Sequence, residues 1–213
     1  MIGLLLDRLS RAKRLDHIVV ATPVAPGNAP LVDYVRQLGF TVFEGSEHDV
    51  LDRYYRAAAL AGADVVVRIT ADCPLIDPAV VDEVVATFWA AGADYASNVA
   101  PPTYPDGLDT EVFTFAALAA AHEQATEPAE REHVTPYLRN AGEFRRANHA
   151  IADDRSADRW TVDTADDFAV VENVFRHFSP RRDFSWREVV DLQSRRPELF
   201  AGNRSHGRNE GSR

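Results

Sequence analysis

The run DVVVRIT, residues 64–70, is the most β-branched stretch of the chain, and it leads straight into ADCPLID, where Asp72 and Asp77 flank a Cys-Pro pair. Branched side chains pack well on a pleated backbone, so the run predicts a strand. With three consecutive valines it has no polar face to give to solvent. Such a strand is stable only when other elements cover it.

The surrounding segments supply that cover. Residues 2–9 read as an amphipathic helix with Ile2, Leu5, Leu6 and Leu9 on one face. Residues 17–22 (HIVVAT) read as a strand closed by Pro23, Pro26 and Gly27. Residues 29–38 predict a helix ended by Gly39, and residues 40–43 (FTVF) a strand. Residues 50–61 predict a helix stopped by Gly62, and Pro78 opens another that runs to about residue 91, before a short strand at 94–98. Strands alternating with helices at this spacing predict an α/β fold, a mainly parallel sheet with helices on both faces. In such sheets, sites lie beyond the carboxyl ends of the strands, which is where Asp72 stands.

The later half is more mixed. Residues 109–115 alternate, 116–125 are helical, and 130–141 read as a helix interrupted by Pro136. Strands are expected at 144–151 and 159–162, and a helix at 165–178. Residues 1–200 are expected to form one domain and residues 201–213, which are almost devoid of apolar side chains, a disordered tail.

Composition narrows the functional classes. A formal net charge of -10 and a pI near 5.1 exclude a nucleic-acid scaffold, whose phosphate contacts need clustered cations. The single cysteine, Cys73, excludes an internal disulfide framework or a multi-cysteine zinc site and points to the reducing cytoplasm. The opening apolar run, five residues before Asp7, is too short for a membrane span.

Several polar residues could carry chemistry. Asp72 follows a strand, and Asp163 ends the short apolar run WTVD, so the two carboxylates could converge on one hard cation such as magnesium. Equally, Asp72 could cap a turn and Asp163 the following helix. Arg53 could reach a phosphate or pair with Asp49 four residues earlier. Arg68, a charge inside a strand, is either ion-paired or functional. Asp109 and Glu111 share one side of a strand, facing sugar hydroxyls or solvent. Arg131, Glu132 and His133 pack a cation, a carboxylate and an imidazole together, at a site or at a solvated helix end. Cys73 reads as buried packing. No Gly-rich phosphate loop of the Rossmann or Walker type is present.

Taken in order, GSEHDVLDRYY, VVVRITADCPLIDP, PDGLDTEVF, REHVTPY and WTVDTADDF resemble the cytidylyltransferase-like proteins of spore-coat polysaccharide biosynthesis, relatives of the acylneuraminate and ketodeoxyoctonate cytidylyltransferases. The resemblance spans residues 2–195. It implies a Rossmann-like nucleotidyltransferase fold and a magnesium-dependent enzyme. In that reaction a sugar or sugar-acid oxygen attacks the α-phosphate of a nucleoside triphosphate, CTP in this family, and pyrophosphate leaves. It further implies Asp72 and Asp163 as metal ligands, Arg53 and Arg68 on the nucleotide side, and Glu111, Arg131, Glu132 and His133 on the sugar side. The resemblance also implies a homodimer.

One departure stands beside these matches. Members of the family begin with a strand and a loop resembling RMGSTRLPGK that binds the triphosphate, whereas this sequence starts at the helix that follows. The expectation is an internal start, with about 40 further residues upstream. The alternative is a relative without the loop that binds a nucleotide or a partner but does not catalyse.

Overall fold

The structure, a computed structural model, describes residues 1–208. Its elements run α1 (Ile2–Leu9), β1 (Val19–Pro23), α2 (Ala29–Gln37), β2 (Thr41–Gly45), α3 (Val50–Ala61), β3 (Val65–Arg68), α4 (Pro78–Ala91), β4 (Tyr95–Ser97), β5 (Glu111–Thr114), α5 (Phe115–Gln124), α6 (Pro128–His133), α7 (Pro136–Asn140), β6 (Arg146–Asn148), α8 (Ala165–Phe178) and α9 (Trp186–Arg195). The α/β architecture matches the expectation, with a difference in the sheet.

Among the described residues the strands form two groups, a parallel pair β1-β2 and a four-stranded sheet in the order β3-β5-β4-β6. Strands β3, β4 and β6 run the same way, while β5 lies antiparallel between β3 and β4. The connection explains the reversal. Between β4 and β5 there is no crossover helix, so the chain returns antiparallel, whereas α4 carries it from β3 to a parallel β4. The run at 159–162 is reduced to a bridge between Asp106 and Arg159.

Period-two alternation divides the four-stranded sheet between two apolar layers. Ala96 and Val112 pack with Val84, Phe88, Trp160, Val171 and Trp186 on one face, and Tyr95 and Phe113 pack with Leu51, Leu118 and Leu138 on the other. Helix α1 forms a third cluster in which Leu5, Leu6 and Leu9 meet Val35, Ile76 and Val81.

Buried Arg8 fixes α1 to the ADCPLID turn. Its guanidinium donates to the Ile76 carbonyl at 2.8 Å and the Arg182 carbonyl at 2.6 Å, and lies 4.3 Å from the centre of the Phe184 ring. Burial, partly offset by Asp77, lowers its pKa to about 10. Asp77 caps α4 by accepting from the Ala79 N–H at 2.8 Å, and also takes the Trp186 N–H at 2.7 Å. The Arg8 and Asp77 contacts lie on the Leu75–Asp77 side of this turn. The Asp72 carboxylate takes no part in these contacts.

The expected tail also departs from its reading. Asn203 is buried and hydrogen-bonded and the Arg208 side chain is largely covered, while Arg204, Ser205 and Gly207 between them are exposed. The rest of that expectation, residues 209–213, lies outside the described residues. No helix among the described residues is long and apolar enough to cross a membrane.

Candidate active site

Beyond the carboxyl end of β3 lies a cavity of about 460 Å³, within the usual range for small-ligand sites. Asp72 lines it from the turn after the strand. The segment carrying Asp163 is drawn alongside, because the Asp72 carbonyl accepts from the Val162 N–H at 2.9 Å and from Thr161 Oγ1 at 3.3 Å. Both carboxylates therefore line one cavity. The helix after Asp163 is capped by Thr164, through a reciprocal capping box with Asp167, so the reading of Asp163 as that cap is replaced. Apart from the Cys73 thiol, 3.5 Å from Oδ1, no side-chain contact is recorded for the Asp72 carboxylate among the described residues. Burial, with Asp72 beside it, pushes the Cys73 thiol well up, away from a reactive thiolate.

Arg159 organises the wall on the Asp163 side. It donates to Asp163 Oδ2 at 2.6 Å, to both oxygens of Asp167 at 2.9 Å, and to Asp106 Oδ2 at 3.4 Å. Burial works against charge on Asp167, yet Arg159, Asn203 and the N–H groups of residues 163 and 164 hold its carboxyl far below the usual range. Gly107 lets the neighbouring loop approach this wall. Its φ of +107° belongs to the glycine region, and a Cβ there would sit 2.7 Å from the Trp160 carbonyl carbon.

The opposite wall holds Asp109 and Glu111. Glu111 is buried, accepting from Arg68 Nη1 at 2.6 Å and from the Tyr95 hydroxyl at 2.6 Å, so the solvent-facing alternative for it is excluded. Strand pairing sets Arg68 opposite Glu111, which accounts for a charge inside a strand. Burial disfavours the Arg68 charge, but Glu111 holds it above its ordinary range. Its Nε is buried with no hydrogen-bond partner. Burial pushes Asp109 up to about 6, against the pull of Arg208.

The remaining expected residues divide. His133 lines the cavity, together with Thr135 and Arg139. The turn between them is strained, since buried Val134 has φ 71° and ψ -52°, a conformation β-branched residues avoid. Arg131 and Glu132 are not among the lining residues. Arg131 is committed elsewhere, donating to Asp49 Oδ2 at 2.5 and 3.1 Å and to the His122 carbonyl at 2.7 Å. Glu132 is exposed. Arg53 does not line this cavity either. It donates to the Ser46 carbonyl at 2.5 Å, its Nε is buried without a partner, and the expected pairing with Asp49 is taken by Arg131. The reason is geometric: Asp49 caps α3 through the Asp52 N–H, which turns its second oxygen toward α6.

The residues that sequence reasoning passed over are Asp106, Thr135, Arg139, Thr161, Arg159 and Arg208. The Pro-Asp-Gly turn at 105–107 was the one available signal for Asp106.

Comparison with known proteins identifies the family. The chain is 35% identical over 202 residues to an uncharacterised protein of Methanocaldococcus jannaschii, covering 93% of this chain and 82% of that one. It is 30% identical over 190 residues to the spore coat polysaccharide biosynthesis protein SpsF of Bacillus subtilis, covering 87% and 78%. A cytidylyltransferase structure from Leptospira borgpetersenii superposes with a TM-score of 0.89 at 29% identity, covering 93% of this chain and 84% of that one. A CMP:2-keto-3-deoxy-manno-octonic acid synthetase solved with CTP shares the fold, with a TM-score of 0.62 at 15% identity over 83% of this chain and 87% of that one. The cytidylyltransferase family profile matches residues 1–179, and this chain is a member of that family.

Proposed function

We propose that the chain transfers a cytidylyl group from CTP to a hydroxyl of a sugar or sugar acid, for polysaccharide or glycoconjugate synthesis. The observation that carries the reading is the cavity in which Asp72 and Asp163 meet beyond a strand end. In the reaction the acceptor oxygen bonds to the α-phosphorus while the bridge to the β-phosphate breaks. Pyrophosphate leaves with that bridging oxygen, and the hydroxyl proton passes to solvent or a cavity carboxylate.

The donor set suits magnesium. Asp72 and Asp163 present hard oxygens from adjacent segments, and Asp163 keeps one oxygen clear of Arg159. Among the described residues no cluster of three or more His, Cys, Asp or Glu side chains could hold an ion unaided. Magnesium commonly takes one or two carboxylates and fills its other positions with phosphate and water. Bound there, the ion would screen triphosphate charge and support the departing pyrophosphate.

The chain's own residues then bind and orient. Arg159 fixes Asp163 in place. Arg68, backed by Glu111, lines the cavity on the nucleotide side, and Arg53, outside that lining, is a second candidate there. Glu111 and His133, joined by Arg139, face the acceptor side. Arg131 acts as a positioning residue that ties α6 to the start of α3. Positioning and electrostatics of this kind supply most of the rate in phosphoryl-type transfer. The proposed setting is the cytoplasm, supported by the buried free thiol of Cys73.

Pyrophosphate release from CTP, UTP, ATP and GTP across a panel of sugars and sugar acids tests the reading. Release with CTP and at least one acceptor is expected. None with any pair would sink it, and would leave a nucleotide-binding relative that does not catalyse.

A further inference from the structure

Residues 203–208 run back along the cavity and are tied to it at several points. Asn203 Nδ2 donates to the Arg159 carbonyl at 3.1 Å and to Asp167 Oδ1 at 2.8 Å. The Gly207 carbonyl accepts from Arg159 Nη1 at 2.9 Å. Arg208 then joins the cavity lining, where its guanidinium pairs with Asp109 and donates to the Tyr104 carbonyl at 3.1 Å. Its side chain is only 16% exposed. The segment is thus anchored on the same arginine that holds Asp163, and it delivers a positive charge to a cavity whose lining also includes Asp72, Asp106 and Asp109.

We propose that Arg208 is a tethered cation that competes with the divalent metal for this carboxylate-lined cavity, so that the 203–208 strap gates loading of the metal and nucleotide. The inference rests on the metal reading of Asp72 and Asp163 given above. Its physical basis is Coulombic: a fixed positive charge among carboxylates weakens their attraction for a second cation. Arg208 favours the ionised forms of Asp106 and Asp109, as a bound cation would. A guanidinium forms no coordinate bond, and this one is held by a carboxylate and a carbonyl. An incoming ion can therefore displace it without breaking the anchors at Asn203.

A phosphate clamp is the rival role, since Arg208 keeps N–H donors beyond those it spends on Asp109 and Tyr104. The two roles predict opposite effects of losing the side chain. Without the competitor the metal binds more tightly; without the clamp the nucleotide binds more weakly.

The test uses the full chain and Mn2+ as the probe, with free ion followed by electron paramagnetic resonance in the absence of nucleotide. Arg208→Ala is expected to bind Mn2+ about tenfold more tightly than the wild type, and Arg208→Lys, which keeps the charge, within about twofold of it. Unchanged or weaker Mn2+ binding by Arg208→Ala overturns the proposal. So does absence of binding in every variant, or weaker CTP binding with Mn2+ affinity unchanged. Asp72→Asn separates the two readings. If it loses Mn2+ while Arg208→Ala gains nothing, the strap idea fails and the metal reading stands; if it binds Mn2+ like the wild type, the metal reading itself fails.

Discussion

Asp167 and Asp109 belong to opposite sides of one site, and their surroundings drive them in opposite directions. Asp167 is fully buried, yet a bidentate arginine, an asparagine and backbone N–H groups hold it as a stable anion. Asp109 is less buried but has a single charged partner, Arg208, and its carboxyl is pushed up to about 6. Burial works against the charge of both carboxylates, and the number of donors that oppose it separates the scaffold residue from the one left available to an incoming cation. The same contrast separates Asp77 from Asp72 within ADCPLID. Asp77 is saturated by the N–H groups of Ala79 and Trp186, while Asp72 meets only a weak thiol contact.

If the 159–167 wall is scaffold, breaking it should unfold the protein before it alters chemistry. Arg159→Ala leaves Asp106 and Asp167 buried without their cation and should cost about 3–5 kcal/mol in urea unfolding. The pH dependence has a definite sign. The folded pKa of Asp167 lies below its unfolded value, so its contribution is complete above the ordinary aspartate pKa, about 4, and is lost as pH falls below it. Asp167→Asn should therefore flatten the acid limb of the unfolding profile, and an unchanged limb would place the acid sensitivity elsewhere.

A smaller effect is expected where the two walls meet. Gly107→Ala forces a Cβ against the Trp160 backbone at a positive φ and should lower stability by about 1–3 kcal/mol, measured by thermal melting. No loss would mean that the 105–109 loop can retreat from the wall.

The Asp109 side should respond in the other direction. A raised folded pKa means that its contribution is present below the unfolded value and is lost as pH rises through about 6. Asp109→Asn should therefore gain roughly 1 kcal/mol relative to wild type between pH 5 and pH 7.5, discounted for solvent screening. A gain that does not grow over that interval would contradict the assignment. Smallest of all, Asp72→Asn should change unfolding free energy by less than about 0.5 kcal/mol, since no fold-stabilising contact is lost.

How much of this was legible in the sequence depended on whether a residue's place was set locally. The helices at 50–61, 78–91 and 165–178 are closed by local signals, Gly62, Pro78 and the Thr164 box, and they form as read. Asp72, Asp163, Arg68, Glu111 and His133 all line the cavity, because strand ends and a helix end placed them there. Arg159 was read only as the start of a strand, since its partners at 106, 163, 167 and 203 converge only through tertiary packing. Arg131 is absent from the cavity lining for the same reason, its partner Asp49 lying 82 residues away. Arg208 was hidden by composition: a polar stretch reads as disorder until Asn203 finds its buried partners.

The central claim is that Asp72 is kept out of the scaffold in order to hold a metal-bound nucleotide. Calorimetric titration of CTP into wild type and Asp72→Asn, with and without magnesium, tests it most directly. Wild type should bind CTP in a magnesium-dependent manner and Asp72→Asn should lose that dependence while melting like the wild type. Equal magnesium-dependent binding by the two proteins would contradict the account.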